Sequence, residues 1–145
     1  MDRPQKKITI LSLQYHCYPD EVGGAWGLTY EINKRLVARG HKVYQITCKS
    51  VENQPSQEVI DGIQYHRISL RKSKGMLSLW NAIRKKVKAI LNLESIDLIH
   101  IHNPLIGFLV LLHPSLWKVP KFYHFHSSWF DEERINAGGI PRIPL

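Results

Sequence analysis

Two pairs of histidines, His100 with His102 and His124 with His126, each sit two residues apart inside short apolar runs. Side chains two apart along a strand share a face, so each pair presents both imidazoles on one side. If the two strands are neighbours, four imidazoles gather. Such a gathering has two chemical uses: neutral rings that hydrogen-bond and orient a hydroxyl, or nitrogen ligands for zinc. Buried strand histidines are common, so the first use is favoured and no metal is expected. Upstream, Gly23 and Gly24 stand where a strand gives way to a helix. Without a Cβ the backbone there can approach a ligand closely, and the amides of a helix N-terminus suit an anion. A plain tight turn would use the same pair. His16 lies beside this loop. Ser127 and Ser128, after His126, can bind a sugar hydroxyl or, more ordinarily, cap a following helix. Asp131, Glu132 and Glu133 read as acids at a helix start, near its positive end. Their spacing argues for no paired-carboxylate hydrolase.

The elements that must carry these residues follow from the hydrophobic period. Residues 8–13 form a short β-rich apolar run that feeds a polar loop. The period then changes: Ala25, Leu28, Ile32 and Leu36 recur at three or four, and Gly40 is placed to stop a helix over 25–39. Residues 42–47 restart as a strand, and 63–69 alternate as another after the Asp61-Gly62 turn, with a polar loop containing Pro55 between them. A helix over 76–93 carries Met76, Leu79, Trp80, Ile83, Val87, Ile90 and Leu91 on one face. Strands at 97–102 and 121–126 bracket a short apolar helix at 105–112 that begins after Asn103-Pro104. Strands alternating with helices predict an α/β fold, a Rossmann-like parallel sheet with helices on both faces. In such sheets a ligand binds beyond the carboxyl ends of the strands where the winding reverses, which points to the residues after Leu13, His102 and His126.

The chain has 145 residues, 43% of them hydrophobic, enough for one domain with its own core. Twenty Lys and Arg against 12 Asp and Glu give a net charge of +8, which favours an anionic partner without choosing one. The basic residues concentrate near 67–88 with little aromatic interleaving and no nucleic-acid recognition motif, so no nucleic-acid partner is expected. Cys17 and Cys48 have neither metal-type nor redox-type spacing and read as structural thiols of a reducing compartment. The apolar run after Lys6-Lys7 is too short for a signal peptide, and no stretch nears the roughly 20 apolar residues of a membrane span. A cytoplasmic protein is expected. Arg71, Lys72, Lys74, Arg84, Lys85, Lys86 and Lys88 line or precede the polar side of the 76–93 helix, so residues 71–88 offer peripheral contact with an inner membrane face.

Three segments resemble a known family. The loop Tyr18-Pro19-Asp20-Glu21-Val22-Gly23-Gly24-Ala25-Trp26-Gly27, running on to Arg39-Gly40-His41-Lys42-Val43, is similar to the opening loop and second-strand entry of the large retaining GT-B glycosyltransferase family (family 4-like, group 1) that includes sucrose-phosphate, glycogen and mannosyl-lipid synthases. Asp97-Leu98-Ile99-His100-Ile101-His102 and Tyr123-His124-Phe125-His126 resemble two further strands of that family's N-terminal half, in order and spacing.

The resemblance implies that Gly23 and Gly24 contact the donor diphosphate, and that His126 touches the transferred sugar or the acceptor as the catalytic contact. His16, His102 and Ser127 would then line the acceptor or sugar site. It implies transfer from a nucleoside-diphosphate sugar to a sugar or lipid-linked acceptor with retention, without a metal. No cofactor is expected, since the glycines do not form a dinucleotide fingerprint. Residues 1–135 are expected to be the acceptor-side domain and 136–145 a linker or truncated tail. The partner domain that grips the nucleotide-sugar is absent, so this stretch alone should not turn over. A stand-alone carbohydrate- or nucleotide-binding module is the alternative.

Overall fold

A computed structural model describes residues 6–72 and 74–126. The chain runs β1 (Thr9–Leu13), α1 (Gly24–Ala38), β2 (Lys42–Cys48), β3 (Gln57–Ile60), β4 (Ile63–Ile68), α2 (Met76–Leu93), β5 (Leu98–Ile101), α3 (Pro104–Leu111), a single 3-10 turn at Pro114–Leu116, and β6 (Lys121–Tyr123). Six strands form one sheet in the order β3-β4-β2-β1-β5-β6. All neighbours are parallel except β3 with β4. From β1 the chain winds one way to β2 and later the other way to β5. The winding therefore reverses between β1 and β5, where this class of sheet places its ligand.

The Rossmann-like α/β expectation holds, with α1 on one face and α2 and α3 on the other. Burial on the second face explains why α2 forms where it does. Leu79, Ile83, Val87 and Ile90 recur at helical spacing and are buried against Leu11, Leu13, Tyr44 and Ile46 of the sheet. Burying each such side chain is worth roughly 1.5–3 kcal/mol. α3 begins as its sequence requires: Pro104 occupies the first turn and the Asn103 side chain accepts a hydrogen bond from the Ile106 amide at 3.1 Å. It lies so close to β5 that a Cβ on Gly107 would stand 2.6 Å from Ile101 Cγ2. Gly40 ends α1 as expected, with positive φ (85°) and bonds from its own amide to Val37 and from His41 to Leu36.

Three expectations need correction. The segment between β2 and β4 is not all loop: Gln57–Ile60 is an antiparallel edge strand joined to β4 by Asp61 and Gly62, both at positive φ (49° and 78°), as a tight hairpin demands. The stripe of Ala25, Leu28, Ile32 and Leu36 on α1 is not fully buried, although Leu36 packs partly buried on the sheet. The buried residues of α1 are Thr29, Tyr30 and Asn33, and Leu28 is 45% exposed. The sheet surface beneath is partly polar: Asn33 donates to Ser12 at 3.1 Å and to Gln45 at 2.7 Å, while Tyr30, Leu36 and Val37 pack on Ile10, Val43, Ile63 and Tyr65. Hydrogen-bonding partners share that face with apolar packing. Finally, β6 ends at Tyr123, so His126 lies three residues past the strand rather than at its tip.

Candidate active site

The carboxyl end of β1 is the hub. The Leu13 carbonyl accepts from the amide of His102 at 2.9 Å, which fastens the residue just beyond β5 to the end of β1. The His124 amide donates to the Ile101 carbonyl at 2.8 Å and keeps the chain beyond β6 alongside β5. These backbone bonds bring the two histidine pairs together. Ring centroids stand 3.9 Å apart for His100 and His102, 5.5 Å for His102 and His124, 5.2 Å for His102 and His126, and 4.5 Å for His124 and His126. The conditional prediction from the sequence, four imidazoles if the strands are neighbours, is met.

His102 and His126 touch directly: Nδ1 of the first lies 2.9 Å from Nε2 of the second, so one ring donates and the other accepts. His100 and His102 are buried, 7% and 4% exposed. Burial first, and the neighbouring imidazoles second, push the His100 ring down to about 4 and the His102 ring lower still. Both are neutral near pH 7. Their Nε2 atoms have no hydrogen-bond partner among the described residues. A neutral imidazole with an open nitrogen can accept from or donate to a sugar hydroxyl.

The second part of the site is the loop from β1 to α1. Gly23 is the extended residue that precedes the helix, and no side chain caps it. The first turn of α1 has no acidic residue either, so its amides are open to an anion. Around Gly24 a Cβ would meet nothing within 4 Å, whereas one on Gly23 would stand 2.7 Å from the Trp26 ring. Trp26 also meets His16 edge-on at 5.7 Å, and His16 meets Tyr15 at 4.7 Å. So His16 and Gly23 assemble around Trp26, with Gly24 beside them on open space, and His102 with His126 around the β5 and β6 ends. The two groups are joined through β1. Ser127 lies outside the described residues, as do Ser128, Asp131, Glu132 and Glu133.

Sequence reasoning passed over Trp26 as a site residue. Its signal was position: an aromatic two residues beyond a glycine pair, in the first turn of the helix. The two thiols behave as read. Cys17 and Cys48 are free and fully buried, and burial pushes both up to about 12, which makes them poor nucleophiles.

The structure is thus a Rossmann-like domain with polar side chains gathered at its winding reversal, the place where sheets of this class hold ligands. Residues 22–142 match the model of Glycosyltransferase Family 4, and the chain belongs to that family. Among solved structures it is similar to the sucrose-phosphate synthase of Thermosynechococcus elongatus, with a TM-score of 0.61 and 19% identity over 88% of this chain. The chain spans 35% of that structure's length, and the likeness is one of fold, the N-terminal half of a GT-B architecture. No curated protein matches the sequence.

Proposed function

We propose that this chain is the acceptor-side domain of a two-domain glycosyltransferase, residues 1–135 forming that domain and 136–145 leading toward a nucleotide-sugar domain. The reaction is transfer of a sugar from a nucleoside-diphosphate sugar to a sugar or lipid-linked acceptor, with retention. One observation carries the reading: a neutral His102 touching His126 through ring nitrogens, at the sheet's winding reversal, in a chain of this family. His126 is the contact to the transferred sugar or acceptor hydroxyl. His102 holds its ring, and His16 with Ser127 completes the acceptor side. Gly23 and Gly24 supply uncapped amides to the donor diphosphate, where negative charge grows as the sugar leaves. No cofactor enters. The face of α2 bearing Arg84, Lys85 and Lys88 is exposed, while Leu79, Ile83, Val87 and Ile90 pack on the sheet. That leaves the basic side free for an anionic inner membrane surface near a lipid-linked acceptor. No helix among the described residues is long and apolar enough to cross a membrane.

The test is nucleoside-diphosphate release by the gene product with its sequence beyond Leu145, across UDP-, GDP- and ADP-sugars. His126→Ala should lower release from the accepted donor about 100-fold, the scale of one positioned proton-transfer group. Silence across the donors, with carbohydrate binding retained, would move the reading to a binding module without chemistry.

A further inference from the structure

We propose that His100, His102 and His124 form a binding site for a borderline divalent transition-metal ion, zinc in the first instance, that ties β6 to β5. The site shares His102 with the transfer reading but does not rest on it, and it departs from the metal-free expectation of the sequence.

Geometry is the first support. Each of the three residues offers one ring nitrogen, and these nitrogens all lie within 4.8 Å of one another. A tetrahedral zinc with Zn–N bonds of about 2.0–2.1 Å needs its ligand nitrogens about 3.3 Å apart. Small side-chain rotations close that difference. The register explains why three rings can converge. β5 and β6 are parallel, with His100 beside Phe122 and Ile101 beside Tyr123, and the His124 amide extends the pairing one residue further.

Unsatisfied polarity is the second support. His100 and His102 are more than nine-tenths buried, and the Nε2 atom of each is buried without a hydrogen-bond partner among the described residues. A buried polar atom left unpaired is costly and needs a reason. Two buried ring nitrogens left for a shared cation would supply one.

The third support is what stands behind the cluster. A metal-bound histidine typically gives its other ring N–H to a fixed acceptor, which sets the tautomer and leaves the ligating nitrogen unprotonated. His102 allows that arrangement: Nδ1 and His126 Nε2 stand 2.9 Å apart, and in the tautomer where Nδ1 donates, Nε2 is left to carry the lone pair. His126 is then the outer partner of a ligand. Three imidazoles without carboxylate or thiolate select zinc and its neighbours over magnesium or calcium. They also leave a fourth position for water or a substrate oxygen.

The experiment uses the tag-free chain stripped with a chelator, then titrated with Zn(II) against a chromophoric competitor and with Co(II) followed by visible absorption. One equivalent per chain is expected, with the intense bands of four-coordinate Co(II) and a rise in Tm of about 5 °C at saturation. His100→Asn and His124→Asn should each weaken binding at least 100-fold, while His113→Asn, outside the cluster, leaves it unchanged. Should the variants misfold, acylation of the wild-type chain by diethyl pyrocarbonate decides: zinc should protect His124 and not His113. No saturable binding, binding that survives both variants, or no protection of His124 overturns the site.

Discussion

The two faces of the sheet solve burial in different proportions of apolar and polar contact. On the face covered by α2 and α3, one row across the strands reads His66, Ile46, Leu13, Ile101, Tyr123, and the helices above it contribute Ile83, Val87, Ile90, Ile106 and Leu109. On the face covered by α1, the matching row reads Tyr65, Gln45, Ser12, His100, Phe122. Polar side chains there are paired under the helix, Asn33 with Ser12 and Gln45, while beyond it the Nε2 atoms of His100 and His102 have no partner among the described residues. One face supplies cohesion almost wholly by apolar area. The other sets beside a smaller apolar cluster, Ile10, Val43 and Ile63 with Leu36 and Val37, a row of buried hydrogen-bonding groups, which is tolerable only where partners or a ligand satisfy them.

The sharpest way to break this contrast is to empty the apolar face. Ile83 is fully buried in α2, and Ile83→Ala should cost about 2–5 kcal/mol in urea unfolding, the sum of lost transfer energy and the cavity left behind. Next in size comes the polar face. Asn33→Ala removes the donor to both Ser12 and Gln45 and should cost about 1–3 kcal/mol. If Asn33→Ala proves as mild as a surface change, the polar network is not what holds α1 down. The two faces would then differ in composition alone.

How much of this was legible depended on which physics each segment obeys. α2 and α3 were readable because apolar period and burial coincide: Leu79, Ile83, Val87 and Ile90 are both the pattern and the contact. α1 existed where its period said, but rotated so that Thr29, Tyr30 and Asn33 are its buried residues, since the surface receiving it is partly polar and a sequence does not print the partners of Thr29 or Asn33. β3 was hidden because Gln57, Glu58 and Val59 are exposed on an edge and show no alternation. The Asp61-Gly62 dipeptide was the usable signal for its hairpin. At the site, spacing placed each histidine pair on one face, while the adjacency of β5 and β6 that joins the pairs came from the sheet order. Trp26 closing on Gly23 is a three-dimensional contact with no periodic trace.

A smaller effect is expected with pH, on the apolar face. His66, in its row beside Tyr44 at 5.8 Å, is pushed down to about 4, chiefly by burial and then by the charge of Lys86. Between pH 6.5 and 4 the unfolded chain binds a proton there that the folded one refuses, so stability is full above 6.5 and falls as pH drops toward 4. Unfolding free energy followed from pH 7 to pH 4.5 should decline, and less steeply in His66→Gln. Equal slopes would mean that the His66 ring escapes its burial on protonation.

The smallest expected effect on stability falls at the glycine pair, and there the two positions should separate. Gly23 has extended backbone (φ −177°) that any residue adopts, so Gly23→Ala is opposed only by the Trp26 ring, 2.7 Å from the added Cβ. That crowding should cost about 1 kcal/mol as the indole moves. Gly24 is the first helical residue and a Cβ there meets nothing within 4 Å, so Gly24→Ala should change stability by less than about 0.5 kcal/mol, with helix propensity in its favour. The space a methyl would enter is also the space the proposed diphosphate needs in front of the uncapped amides. Gly24→Ala in the whole enzyme should therefore raise KM for the nucleotide-sugar several-fold at unchanged unfolding free energy. An unchanged KM would show that these amides face solvent alone and that the glycines serve only the turn.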